Sequence, residues 1–317
     1  MGDTTVQELA LLACLNDVHA LKKREYVRRF SDRTTLHTFY TDFFESGADT
    51  TAAHPDLPAP LLQKAIEIRT RGLLDFYIDI IRNYQQSGIR ILPVYDPNYP
   101  KKLLDLNDPP FMIFEKGSGY PLSKPAVAIV GTRNISPESI EKTGEIVEFF
   151  VSRGYVIVSG LARGTDAHAH AAALDCGGET IAVLPGDLIH IIPKENQELS
   201  QRIVTSGSLV SEVTDLAKMH KGRYIERNRI TSALSDAVIV IETGKSGGSI
   251  RQAEIARKQG KPLYSVKPDP ANAEAMAGHT ALISISATSI ESPLDLLHYF
   301  TQKQHHISRP TTLADFS

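Results

Sequence analysis

The chain has 317 residues, 42% of them hydrophobic and 22% charged, which marks an ordinary soluble globular protein with room for two domains and a sizeable core. Its net charge of −3 excludes blanket electrostatic binding to nucleic acid, so any such ligand must be held by a local basic patch. The two cysteines, Cys14 and Cys176, exclude a disulfide framework and a four-cysteine zinc site, and no signal peptide or bilayer-spanning apolar run is found, so a cytoplasmic protein without a membrane role is expected.

Residues 1–85 read as a small helical domain. Thr5–Leu21 carries apolar residues at helical spacing (Val6, Leu9, Leu12, Leu15), as does Leu61–Tyr84, and Ser46–Pro60 is a loop. Ile89–Val94 and Met112–Phe114 are strand candidates separated by the turn-rich segments Asp96–Pro100 and Asn107–Pro110. Ser118–Lys124 is a connection. From Pro125 the texture changes. Strands are expected at Val127–Val130, Val156–Ser159, Thr180–Leu184, Leu209–Ser211, Ala237–Glu242 and Pro262–Val266. Helices are expected at Pro137–Ser152, Thr165–Asp175, Lys194–Thr205, Glu226–Leu234 and Ser249–Gln259. Near-continuous apolar strands alternating with helices indicate an α/β fold, a Rossmann-like mostly parallel sheet with helices on both faces, over residues 86–301. Thr280–Ser286 adds a strand, Pro293–Phe300 a helix, and 302–317 is a polar tail. Ligands of such sheets sit beyond the carboxyl ends of the strands, so the loops after the strands carry the functional reading.

The first loop is Gly131-Thr132-Arg133, followed by Ser136 and Pro137, a good N-cap and a good first helical residue. A helix N-terminus beside a hydroxyl and a forked cation suits a phosphate. The second loop runs from Ser159 to His168 and contains Gly160, Arg163 and Gly164. His168 and His170 are two apart on a helix and point in different directions, so they do not share a metal, and Asp166 reads as a helix cap rather than an acid–base residue. After Leu184-Pro185-Gly186-Asp187 comes Lys194, a cation at a helix start, which suggests an anionic partner, with Asn196 beside it. Lys218–Arg229 is the densest basic run, with Lys218, Lys221, Arg223, Arg227 and Arg229 against Glu226, and with His220 and Tyr224 interleaved to stack on bases. Ser246, Gly247, Gly248 and Ser249 form a loop able to cradle a phosphate through backbone N–H groups. It lacks the spacing of a P-loop, and the first loop lacks Gly-x-Gly-x-x-Gly, so neither ATP nor NAD is expected as a cofactor. No metal site and no catalytic set is read.

These loops, in this order, resemble the DNA-processing protein A family (DprA/Smf). The likeness rests on Val127–Arg133, Ser159–His168, Ala182–Pro185 with Ile192–Asn196, Leu209–Glu212 and Arg227–Ile230, with Asp96–Pro100 and Asp108–Pro110 upstream, and it covers about residues 85–300. The resemblance implies a non-enzymatic protein that binds single-stranded DNA, protects incoming strands during transformation, helps load RecA and works as a homodimer. It maps the family's Gly-Ser/Ala-Arg loop onto Gly131, Thr132 and Arg133. Its DNA-binding lysine falls on Lys194 and its Arg-Asn-Arg motif on Arg227, Asn228 and Arg229. The chain departs from the family in Thr132, in the absence of a glycine-bearing turn near Leu21–Arg24, in one extra residue at Ser246–Ser249, and in ending without a winged-helix domain.

Two alternatives stand beside this reading. Gly247, Gly248 and Glu254 have the spacing of the motif in LOG-type nucleotide phosphoribohydrolases, with Ile250 and Arg251 in place of its Gly and Thr. The third possibility is a nucleotide-sensing module of a defence or stress pathway.

Overall fold

The fold grows around strand Ala126–Val130, five residues buried on both sides of the backbone. A computed structural model describes residues 3–17, 23–45, 59–216, 220–297 and 300. Leu21, Lys22, Lys218, most of the expected loop 46–60 and the tail 302–317 lie outside these residues.

The N-terminal region contributes helices α1 (Asp3–Asn16), α2 (Lys23–Phe30), α3 (Arg33–Tyr40), α4 (Ala59–Thr70) and α5 (Leu73–Gln86). The run Leu61–Tyr84, read as one helix, is two, because Gly72 between them takes a left-handed φ of 60° that breaks the hydrogen-bond ladder. Leu9–Leu15 is buried all round, and its cluster continues into Phe111, Met112 and Phe114, so these helices and the sheet share one core. The end of α1 is pinned by side chains. Asn16 Oδ1 accepts from Phe111 N at 2.9 Å, and Asp17 accepts from Tyr77 Oη at 3.0 Å and Thr214 Oγ1 at 2.5 Å.

Among the described residues nine strands form one sheet: β1 (Arg90–Pro93), β2 (Met112–Gly117), β3 (Ala126–Val130), β4 (Val156–Ser159), β5 (Thr180–Val183), β6 (Ser208–Ser211), β7 (Ala237–Val240), β8 (Leu263–Val266) and β9 (Thr288–Ile290). Their spatial order is β1-β2-β6-β5-β4-β3-β7-β8-β9. Strands β3 to β9 run parallel, and β1 and β2 are antiparallel at one edge. After β3 the chain winds outward through β4, β5 and β6, then returns to place β7 on the other side of β3. That reversal makes the β3/β7 boundary the point where a doubly wound sheet opens a crevice.

The parallel strands are joined by α6 (Pro137–Val151), α7 (Thr165–Asp175), α8 (Gln197–Ser206), α9 (Lys221–Leu234), α10 (Gly248–Lys258) and α11 (Ala273–Ser284). Alternate residues of β3 settle the two layers. Val127 and Ile129 pack with Ile146, Val147 and Phe150 of α6, whereas Ala128 and Val130 pack with Ala253 and Ala256 of α10. Truncating Ile129 to alanine would cost about 2–5 kcal/mol by transfer and cavity terms. The expected α/β fold with helices on both faces is therefore observed.

Several assignments differ from expectation. Helix α9 begins at Lys221 rather than Glu226. Lys194–Asn196 is a separate 3-10 turn before α8. Thr280–Ser286 is not a strand. Residues 273–284 are helical because the Asn272 side chain accepts from Ala275 N at 3.1 Å, the alanine-rich sequence favours helix, and Leu282 is the buried face of that helix. The real edge strand, β9, lies just beyond. The expected last helix opens as a 3-10 turn at Pro293–Leu296, and residues 298–299 within its span lie outside the described residues.

Candidate nucleic-acid interface

A cleft of about 490 Å³ opens beyond the carboxyl ends of β3 and β7. Its lining includes Gly131, Thr132 and Arg133 from the loop after β3, Gly160 from the loop after β4, Tyr224, Arg227 and Asn228 from α9, and Ser246, Gly248 and Ser249 before and at the start of α10. Four of the five loops singled out in the sequence thus take part, and three of them place cleft-lining residues beside one another.

The first loop is fixed by close contact. A β-carbon on Gly131 would overlap Thr165 Oγ1 and lie 2.9 Å from the Glu242 carbonyl oxygen, so only glycine fits. Thr132 N donates to that same carbonyl at 2.7 Å, and Thr165 N donates to the Thr132 carbonyl at 3.1 Å. Thr132 Oγ1 accepts from Asn134 N at 3.2 Å, so its hydroxyl shapes the loop. With its backbone held, the loop presents Arg133 to solvent, and its guanidinium carbon stands 5.6 Å from the ring centroid of Tyr224, a cation–π contact.

The helix that follows this loop does not offer the phosphate site read from sequence. Ser136 caps α6 as expected, accepting from Ser139 N at 3.3 Å. But Glu242 Oε2 accepts from both Ser136 N and Ser136 Oγ, at 2.9 and 2.8 Å, and so already fills the start of α6 with a carboxylate. Burial raises the Glu242 pKa, and the hydrogen bonds from Ser136, Ser139 and Asn272 outweigh it, leaving the group below the usual carboxylate range. No sequence signal marks this pairing across 106 residues.

A helix N-terminus without a side-chain cap does line the cleft, at α10. Gly247 stands at its cap with φ 129° and makes no side-chain capping bond. Added β-carbons at Gly247 and Gly248 would meet no atom within 4 Å, so the backbone there is bare. Ser249 Oγ donates to the Gly131 carbonyl at 2.7 Å, which ties this turn to the first loop. First-turn N–H groups without side-chain acceptors, with the positive end of the helix dipole, face the same cleft as Arg133.

Arg227 forms the floor. A β-carbon on Gly160 would sit inside its guanidinium, and Arg227 Nη1 donates to the Val183 carbonyl. Burial lowers its pKa from the ordinary arginine value, and Asp166 opposes that shift. Asp166 is itself buried; desolvation pushes its carboxyl up and Arg227 pulls it down. Asp166 does not cap α7, whose N-cap is Gly164 with no side-chain capping bond; its Oδ2 instead accepts from Ala162 N of the preceding loop at 3.4 Å. Gln252 of α10 donates to the Asn228 carbonyl at 3.1 Å and to Ser232 Oγ at 2.5 Å, locking α9 to α10 beneath the cleft.

The remaining expected residues are placed elsewhere. Arg229 is two positions from Arg227 and projects from another side of α9. It pairs with Glu212, lies 3.6 Å from Asp108, and is not among the cleft residues. Arg223 is buried and bonded to Glu226 Oε2 at 3.4 Å. Asn196 is buried, with Nδ2 donating to the carbonyls of Leu161 at 2.9 Å and Ala162 at 3.3 Å, so it pins the second loop. Arg163 pairs with Glu195 on the surface. Lys194, opening the 3-10 turn before α8, and Lys221, opening α9, are exposed but outside the cleft lining. Glu254 is also exposed and does not line the cleft. Among the described residues no cluster of metal-ligating side chains occurs, and no helix is long and apolar enough to cross a membrane.

Sequence reading missed Glu242, Gln252, Thr231 and Glu274. The last two line the cleft from α9 and α11, positions reached only through the fold.

A family model for DNA recombination-mediator protein A matches residues 90–301. The chain is 33% identical over 232 residues to a DNA processing protein DprA of Bacillus subtilis, a match covering 73% of this chain and 78% of that protein. It spans about half the length of the other curated relatives it matches. The crystal structure of DNA processing protein A from Streptococcus pneumoniae superposes with a TM-score of 0.73 at 26% identity, covering 94% of this chain and 98% of that one. DNA processing protein A from Helicobacter pylori, whose structure describes a single-stranded DNA binding mode, superposes with a TM-score of 0.61 at 31% identity, covering 68% and 96%.

Proposed function

The chain belongs to the DNA recombination-mediator protein A family, and from that premise we propose that it binds single-stranded DNA at the β3/β7 cleft without cutting it. The observation that carries this reading is one pairing in the cleft. Arg133 stands exposed over Tyr224, and the uncapped N-terminus of α10 opens on the same cleft. A forked cation and a row of backbone N–H groups are complementary to phosphates, and an aromatic ring beside them offers a base a stacking surface worth about 1–3 kcal/mol.

Lys194 and Lys221, exposed beyond the same strand ends, extend the path for the backbone past the cleft. Arg227 serves this site as the charged floor. Arg229 and Asn196 serve it indirectly, by holding α9 and the second loop in place. Support for binding rather than hydrolysis comes from Glu254, which the phosphoribohydrolase reading needs in the cleft and which lies outside it. The family resemblance extends the proposal to protection of incoming strands in transformation, delivery to RecA and assembly as a homodimer.

The test is a titration of labelled oligothymidine with the purified chain at rising salt. Binding at low salt, with log affinity falling by about 0.7 per phosphate contact for each decade of salt, is the expected result. Absence of binding at low salt overturns the proposal. Release of free base from a nucleoside monophosphate, lost in Glu254→Gln, would install the hydrolase in its place.

A further inference from the structure

A strand lying along the rim of the cleft would leave its floor unused. Thr231 is 1% exposed and lines the cleft, and its hydroxyl has no hydrogen-bond partner among the described residues. Arg227 is 8% exposed, lines the same floor, and has an unpartnered Nε. Leaving a buried polar atom unsatisfied is costly, so two of them on one face of α9 mark a surface built to meet a ligand's polar edge. The floor is also closed. Helices α9 and α10 pack together there, and Gln252 bridges them through Asn228 and Ser232. A chain end can enter such a recess, but a strand cannot thread through it.

We propose that the cleft seats one nucleotide end-on, a nucleoside 5′-monophosphate that is either free or the 5′-terminal residue of a strand. Its phosphate lies at the N-terminus of α10, against the N–H groups of Gly248 and Ser249 and the hydroxyl of Ser246. Its base turns a carbonyl edge to Thr231 and the Arg227 Nε–H on the floor. A terminal phosphate suits the rim better than an internal diester, because it carries more charge and offers three free oxygens to the open helix turn. The volume of about 490 Å³ is that of a pocket for one small ligand. The proposal rests on the reading of the cleft as the nucleic-acid site and adds which part of the strand occupies it.

The full chain is titrated by calorimetry with thymidine 5′-monophosphate, thymidine and inorganic phosphate. It is then titrated with oligothymidine bearing either a 5′-phosphate or a 5′-hydroxyl. Thymidine 5′-monophosphate is expected to bind more tightly than thymidine or phosphate alone, and Thr231→Val to weaken it about tenfold, the loss of one hydrogen bond to the ligand. Should Thr231→Val not fold, Gly248→Ala, whose β-carbon meets no protein atom, supplies the same readout at the phosphate end. Displacement of the oligomer by the free nucleotide identifies a free ligand. Preference for the 5′-phosphorylated oligomer, with no binding of the free nucleotide, identifies a strand end. The inference is overturned if the 5′-hydroxyl oligomer binds through Arg133 while neither the nucleotide nor the 5′-phosphate has any effect, and the DNA-binding reading then stands without it. If no oligomer binds at all, both fall together.

Discussion

Gly160 and Arg227 occupy one space: a β-carbon on the glycine would lie within the guanidinium of the arginine, whose Nη1 is bonded to the Val183 carbonyl. A charged group buried under a loop is thereby made part of the cleft floor. Gly160→Ala should expel the guanidinium from this bond, with a loss of about 1–3 kcal/mol in stability and a fall in oligothymidine affinity. Urea denaturation and anisotropy titration read the two effects. An unchanged midpoint with unchanged affinity would show that Arg227 has another place to go.

Arg133 and Arg229 should separate binding from stability. Arg133→Ala removes an exposed cation and should leave the melting temperature unchanged while lowering the salt slope of DNA binding by about 0.7. Arg229→Ala strands the buried Glu212 carboxylate and should cost about 2–4 kcal/mol with no change in that slope. A reversed pattern, with Arg229 setting the slope, would contradict the geometry of α9.

Gly248→Ala should be silent for the fold. Its β-carbon enters open space, and exchange of glycine for alanine near a helix start stabilises by about 0.4–1 kcal/mol where the backbone is compatible. The same methyl group stands where a phosphate would approach, so affinity for DNA should drop while the melting temperature holds or rises. Affinity equal to wild type would remove the α10 N-terminus from the interface.

His170 is buried between α7 and β5 with Nδ1 at 2.6 Å from Thr180 Oγ1, and burial, assisted by the Arg227 charge, lowers its pKa from 6.5 to about 3. The unfolded chain therefore takes up a proton below pH 6.5 that the folded chain refuses until about pH 3. Stability from this group is full above pH 6.5 and falls on acidification through that window, by up to about 1.4 kcal/mol per pH unit. His170→Asn, which can keep the bond to Thr180, should flatten the fall in urea midpoint between about pH 6.5 and 5. An unaltered pH profile in the variant would assign the acid sensitivity to other groups.

Much of the site was legible because its signals are local. The strand Val127–Val130 ends in Gly131, and the glycine is required by contacts with Thr165 and Glu242. Arg133, two residues on, is exposed. Other signals misled for an equally local reason. Ser136 and Pro137 make a sound helix start at α6, but the carboxylate that fills it comes from Glu242, far along the chain. The bare helix start is at α10, where the glycine run reads from sequence as a loop able to cradle a phosphate through its backbone N–H groups. Thr280–Ser286 resembled a strand because so short an apolar run does not distinguish an edge strand from the last turns of an alanine-rich helix.

The alternation of strand and helix, and with it the parallel sheet and the edge on which a ligand must sit, is legible in the residues alone. Those properties follow from periodicity and glycine placement within ten or so residues. Which cations reach that edge depends on contacts between elements distant in the chain. Arg227 and Arg229 are equivalent as letters, yet one forms the floor of the cleft and the other is held by Glu212. The fate of a guanidinium depends on the acids and carbonyls that the fold brings to it, and those come from other elements of the chain. Gly131-Thr132-Arg133 shows both contributions: its exposure was written locally, whereas the open turn of α10 and the ring of Tyr224 that complete its site were assembled by the sheet.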